Sequence, residues 1–157
     1  MGKIYLIAAI GKNNELGKNN ELIWHIKEDL QFFKSMTLNK TIVMGYNTFK
    51  SLKGLLPNRR HVVLTSHTDL PDEVIFFNNL KDVLEYIKDI EVYIIGGASI
   101  YKLFIDLCDG IYLTEIDESF DADVYFPTFD KEKYKVKVLD KKSCNGMNYT
   151  RNFYERK

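Results

Sequence analysis

The stretch Val92-Tyr93-Ile94-Ile95-Gly96-Gly97-Ala98-Ser99-Ile100-Tyr101 decides the fold class. An apolar run without polar alternation belongs to a strand covered on both faces. Two glycines end it, and Ile100, Leu103, Phe104 and Leu107 follow at a spacing that places them on one helix face. The same order recurs outward from this point. Ile4 to Ile10 is apolar on both faces, and Thr41-Ile42-Val43-Met44 ends at Gly45, after which Asn47 or Thr48 caps Phe49 to Leu52. His61 to Leu64 ends in Thr65-Ser66, Val74 to Phe77 precedes a helix spaced by Leu80, Val83, Leu84 and Ile87, and Ile111 to Thr114 is a sixth strand. Tyr134 to Leu139 and Tyr149 to Tyr154 alternate instead, with Asn145-Gly146 between them as a hairpin signal. The expectation is an α/β protein: a single domain whose central, mostly parallel twisted sheet has about eight strands, helices on both faces and an antiparallel C-terminal edge.

A chain of 157 residues suits one domain, spanning 1–157. Lysine plus arginine equal aspartate plus glutamate at 22 each, so no basic field invites nucleic acid. Cys108 and Cys144 form no CxxC pair, and His25, His61 and His67 have no metal-ligand spacing. Reduced thiols, a cytoplasmic location and no metal are expected. The run Ile4 to Ile10 is too short to span a bilayer and is not followed by a cleavage signal, so no membrane is expected as a partner. Gly2 lacks the serine or threonine at position 6 that myristoylation needs.

One acid breaks the pattern. In a helix from about Lys27, the residues Ile26, Asp29, Leu30 and Phe33 share a face, while Lys27, Glu28, Gln31 and Lys34 take the wetter side. Asp29 therefore points inward. A buried carboxylate is costly without a partner, which marks it for ligand binding or proton chemistry; the alternative is an acid in the first helical turn, held by the dipole and free amides. Ahead of this helix Gly11-Lys12-Asn13-Asn14-Glu15-Leu16 recurs intact as Gly17 to Leu22. Rich in glycine and asparagine, it reads as a mobile loop able to fold over a cleft, or as a plain solvated connection.

Gly45 to Thr48, Leu64 to Ser66 and Ile95 to Ala98 each send a strand's carboxyl end into glycine or hydroxyl residues. Free amides at helix starts bind phosphate oxygens, and several such turns along one sheet edge suit a dinucleotide. No GxGxxG and no GxxxxGK[ST] occurs, so another architecture would hold it.

The order Ile7-Ala8-Ala9, Leu16-Gly17, Trp24 with Asp29 and Phe33, Thr37-Leu38, Met44-Gly45 with Thr48, Leu56-Pro57 with Arg59, Ile95-Gly96-Gly97 with Ile100-Tyr101, Thr114, and Asp123 before Phe126-Pro127 resembles bacterial dihydrofolate reductase over nearly the whole chain. The resemblance implies NADPH-dependent reduction of 7,8-dihydrofolate, with hydride reaching pterin C6 and a proton reaching N5. It implies that Asp29 bonds the pterin N3 and 2-amino group, with Trp24 and Thr114 ordering the carboxylate and a water that supplies the proton. It further implies that Ile7, Ala8, Leu30, Phe33, Leu52, Leu56 and Ile95 wall the pterin and benzoyl rings, and that Arg59 clamps the glutamate tail. On the cofactor side, the implied residues are Ala9, Leu16 and Gly17 at the carboxamide and Leu22 in the lid across the nicotinamide. Gly45, Tyr46, Asn47, Thr48, Leu64, Thr65, Ser66, Ile95, Gly96, Gly97, Ala98, Ser99, Ile100 and Tyr101 would surround the rest of NADPH. Asp123 would touch the lid, residues of about 40–90 would form an adenosine-binding lobe, and antifolate inhibitors and a monomeric state are implied as well.

The chain departs from the family pattern in places. Tyr46 stands where an arginine is usual and Ser99 where many members have a cation, both beside the implied 2′-phosphate; Thr65, Ser66 and His67 offer donors there, and Tyr46 a surface for adenine. Ile23 replaces the common proline before tryptophan, and His25-Ile26 lacks the proline that often opens the helix. Two other readings share parts of the pattern. A related reductase of a pyrimidine or other pteridine would lack the joint set Asp29, Phe33 and Arg59, and a non-catalytic nucleotide-binding module would not need the inward acid.

Overall fold

The computed structural model describes residues 2–18, 21–22, 27–52, 54–144 and 146–157, without the side chains of 18, 21, 22, 27 and 144. The readings for Ile23, Trp24, His25, Ile26 and Asn145 lie outside these residues.

The strands are β1 (Lys3–Ile10), β2 (Glu15–Lys18), β3 (Glu21–Leu22), β4 (Thr41–Gly45), β5 (Arg60–Leu64), β6 (Ile75–Phe77), β7 (Glu91–Gly96), β8 (Gly110–Ile116), β9 (Val124–Tyr125), β10 (Tyr134–Cys144) and β11 (Met147–Arg156). The helices are α1 (Lys27–Thr37), α2 (Tyr46–Ser51), α3 (Leu80–Ile87) and α4 (Ala98–Phe104). Eight strands form one sheet in the order β10-β11-β8-β1-β7-β4-β5-β6. Every pairing from β8 to β6 is parallel, and β10 and β11 close the edge antiparallel, as expected.

Strand parity divides the core. Leu6, Val43, Val62 and Ile94 lie on the face covered by Val83 and Ile87 of α3 and Ile100 and Phe104 of α4. Ile7, Ile42, Met44, Val63 and Tyr93 lie on the other, against Phe32, Phe33 and Met36 of α1 and Phe49 of α2. This two-sided burial is the reason these strands are apolar throughout.

Three details differ from the expectation. The cap of α2 is Gly45, with no side-chain bond, so Asn47 and Thr48 lie inside the first turn. Helix α4 ends at Phe104 and buries Ile100, Tyr101 and Phe104, which leaves Leu103 and Leu107 exposed. The repeated hexapeptide is partly strand: Gly17 pairs with Leu22 and, on the other side, with Val124, giving a small sheet in the order β3-β2-β9.

Glu15 anchors this small sheet. It is 1% exposed, and its carboxylate accepts from the Ser119 hydroxyl, the Phe120 amide and the Asn13 amide, each at 2.7 Å. Burial pushes its pKa up, but these three bonds outweigh burial and hold it below the ordinary glutamate range. A depressed folded-state pKa contributes stability that is present above the unfolded pKa and is lost as pH falls through the folded one. Glu15→Gln should therefore lower Tm at pH 7 and flatten the fall of stability with acidification below about pH 4.5. Thermal melts across pH check this; identical curves for the two proteins would contradict it.

Candidate active site

Parallel strands bring their carboxyl ends to one edge. Gly45 pairs with Leu64, and Met44 with Gly96, so the three turns singled out in the sequence lie side by side. Gly96 has φ +130° and a cis peptide bond to Gly97. A methyl group on Gly97 would sit 3.4 Å from Thr48 Oγ1, and one on Gly45 3.0 Å from the Ile100 side chain. The two helix starts therefore abut as bare backbone, and neither Gly45 nor Gly97 offers a side-chain cap to the amides behind it. Such a cradle fits the phosphates of a dinucleotide. Beside it, the Tyr46 ring stacks on His67 at 3.8 Å and its hydroxyl donates to Asp69 at 3.2 Å. The Thr65 hydroxyl accepts the His67 amide, and Ser66 and Ser99 are exposed.

The other half of the site is a row across four strands. Ala9 pairs with Thr114, Thr114 with Arg151, and Arg151 with Asp140, the last opposite a bulge between Val138 and Asp140. Asp29, in the first turn of α1, reaches this row from above. Its side chain is 22% exposed, its Oδ1 accepts the Thr114 hydroxyl, and the same oxygen is 3.2 Å from Arg151 Nη2. Thus the acid on the apolar stripe is inward, and both a hydroxyl and a cation meet it. Its charge is also felt at Tyr101 of α4, whose pKa burial, and then Asp29, drives far above the ordinary tyrosine value. Tyr101 keeps its proton and donates it to the Ile7 carbonyl at 2.8 Å. Strand β1 links the two halves of the site: Ile7 receives Tyr101 from α4, and Ala9 pairs with Thr114, which bonds Asp29.

Phe33, Leu52, Leu56 and Ile95 are half-buried and pack with Ile7 in a single apolar cluster. Leu30, expected on the inward stripe with Asp29 and Phe33, is instead 50% exposed, because α1 turns Phe32, Phe33 and Met36 to the sheet. Ala8 is half-buried in the opposite cluster, Ala9 packs against Ile116 and Tyr149, and Leu16 is buried. Arg59 is braced by Thr37 Oγ1 at 3.0 Å and by the Pro57 and Lys34 carbonyls at 2.6 Å each. His61 fixes the turn before it. Burial lowers its pKa, and the neutral ring accepts the Leu56 amide at 3.1 Å through Nε2. Leu22 lies in β3 opposite Gly17; its side chain, like all of Trp24, falls outside the described residues. Asp123 meets the repeat through its amide, which donates to the Gly17 carbonyl at 3.1 Å. Among the described residues no cluster of three or more His, Cys, Asp or Glu could hold a metal, and no helix is long and apolar enough to cross a membrane.

The model of the dihydrofolate reductase family matches residues 3–156. The chain belongs to the dihydrofolate reductase family. It is 36% identical to the dihydrofolate reductase of Bacillus subtilis (strain 168) over 159 aligned residues, covering 98% of this chain and 95% of that one. It is 37% identical to that of Buchnera aphidicola subsp. Acyrthosiphon pisum over 148, covering 92% of each. A structure of dihydrofolate reductase from Enterococcus faecalis complexed with NADP(H) and RAB-propyl superposes with a TM-score of 0.87 at 30% identity, covering 98% of this chain and 96% of that one. The chain is thus a dihydrofolate reductase, and the readings as a different reductase or a non-catalytic module fall away.

Arg151 is the residue at this dihydrofolate reductase site that the sequence reading passed over. Its signal was parity: Tyr149, Arg151 and Phe153 share one face of β11, and an arginine between two aromatic rings on an inward face requires a buried partner.

Proposed function

We propose that Asp29 is the group through which this chain recognises dihydrofolate, one carboxylate oxygen being held by Thr114 and the other turned to the pterin N3 and 2-amino group. The observation that supports this is the bond from Thr114 to Asp29 at the edge of an apolar cluster. NADPH, when bound, supplies the hydride. The chain's own residues position and shield. Gly45, Thr48, Gly96, Gly97 and Ala98 hold the pyrophosphate; Ala9, Leu16 and Gly17 meet the carboxamide. Leu22 covers the nicotinamide from the repeat, and Asp123 favours that closure. Ile7, Ala8, Leu30, Phe33, Leu52, Leu56 and Ile95 exclude water from the pterin and benzoyl groups, which strengthens the field of the carboxylate. The proton for N5 comes from water ordered by Asp29, Trp24 and Thr114. Arg59 takes the glutamate tail. Residues of about 40–90, which include Tyr46, Asn47 and Leu64 to His67, make the adenosine lobe, and the protein works as a cytoplasmic monomer open to antifolate inhibitors.

The assay is loss of reduced cofactor at neutral pH with and without dihydrofolate. NADPH should be consumed only when dihydrofolate is present, and kcat/KM should be higher for NADPH than for NADH. Consumption without dihydrofolate, or none with it, contradicts the assignment, and equal kcat/KM for the two cofactors contradicts the preference.

A further inference from the structure

We propose that Arg151 is a positioning residue for dihydrofolate reduction, a guanidinium clamp that ties Oδ1 of Asp29 and so turns the other carboxylate oxygen to the substrate. The inference rests on the reading of Asp29 given above. The Arg151 side chain is 4% exposed, and its partners fix it in every direction. Nη1 donates to Asp140 Oδ2 at 2.7 Å, Nη2 to Asp29 Oδ1 at 3.2 Å and Nε to Thr114 Oγ1 at 3.4 Å. Its central carbon lies 4.1 Å from the Phe32 ring centroid and 5.7 Å from that of Tyr149. Phe32 belongs to α1 with Asp29, so the guanidinium packs on the helix that carries the acid.

Two features separate this arrangement from an ordinary structural ion pair. Thr114 and Arg151 converge on the same oxygen of Asp29, while among the described residues no hydrogen bond reaches Oδ2. A carboxylate held through one oxygen has its rotation fixed, and the second oxygen keeps its lone pairs for a ligand. The far anchor of the clamp, Asp140, comes from the bulge in β10, a device that re-aims a side chain at a sheet edge. Burying an arginine beside two acids contributes little net stability compared with an apolar residue. What it adds is a fixed cation at the reacting group.

The test is a mutant cycle in kcat/KM for dihydrofolate, with Tm followed in parallel. Arg151→Met should lower kcat/KM roughly ten- to a hundredfold where Asp29 is intact, and Arg151→Lys should restore part of that loss. In the Asp29→Asn background, Arg151→Met should cost little more, although its effect on Tm persists. Equal losses in the two backgrounds, or no loss where Asp29 is intact, overturn the role of Arg151. Full activity of Asp29→Asn alone overturns the reading of Asp29 instead, and with it this one. Should Arg151→Met not fold, Asp140→Asn removes the charge of the clamp's outer anchor and leaves the cation in place. A several-fold drop in kcat/KM that vanishes in the Asp29→Asn background then supports the clamp, and an equal drop in both backgrounds overturns it.

Discussion

Asp29→Asn should lower kcat/KM for dihydrofolate about a hundredfold or more at pH 7, with the protein still folded. Asparagine has the size of aspartate and keeps a carbonyl oxygen for Thr114, so the apolar cluster of Ile7, Phe33, Leu52, Leu56 and Ile95 has no reason to repack. What disappears is the charge and the second acceptor oxygen. A ring that presents an N–H and an amino group side by side needs the lone pairs of the oxygen that Thr114 leaves free, and the amide nitrogen that replaces that oxygen is a donor. The loss should fall on kcat as well as on kcat/KM, since the carboxylate acts where the ring gains its proton. Steady-state kinetics, with a Tm measurement to exclude unfolding, checks this; wild-type kinetics in the variant would remove the mechanism.

The second large effect is at the opposite end of the substrate. Arg59→Ala should raise KM for dihydrofolate roughly ten- to a hundredfold and leave kcat nearly unchanged. The hydrogen bonds it removes from the glutamate tail are charge-assisted, worth about 1.5–3 kcal/mol. They lie far from the reacting ring, so ground state and transition state are weakened equally. Three of the arginine's N–H groups are taken by Thr37, Pro57 and Lys34, which orients the guanidinium before any substrate arrives. Among the described residues one N–H on each terminal nitrogen is left without a partner, and a carboxylate has the oxygens to accept both. If the braces were the whole purpose of Arg59, the variant would melt earlier with an unchanged KM.

Most of the sheet was legible because its strands are buried on both sides. Thr41 to Met44 or Val92 to Ile95 admits no wet face, and such short apolar runs ended by glycine have few other uses. The small sheet was not legible. Its strands have four, two and two residues, and Glu15 is held by Ser119 and Phe120, partners about a hundred positions away that no local pattern predicts. The inward acid was visible because helix periodicity fixes its direction. What it faces was not, since Thr114 and Arg151 come from strands that become its neighbours only when the sheet is assembled. Arg151 itself left a trace in the alternation of β11. The cap of α2 was misplaced because asparagine and threonine are the usual caps, whereas here the turn needs bare backbone beside Gly97.

The most direct measurement compares dihydrofolate with an analogue lacking the 2-amino group, in the wild type and in Asp29→Asn. Removing that group should lower kcat/KM about tenfold or more in the wild type, a loss of one charge-assisted bond, and change it little in the variant. An equal loss in both proteins would mean that the amino group is read by something other than Asp29, which contradicts the central assignment of that carboxylate.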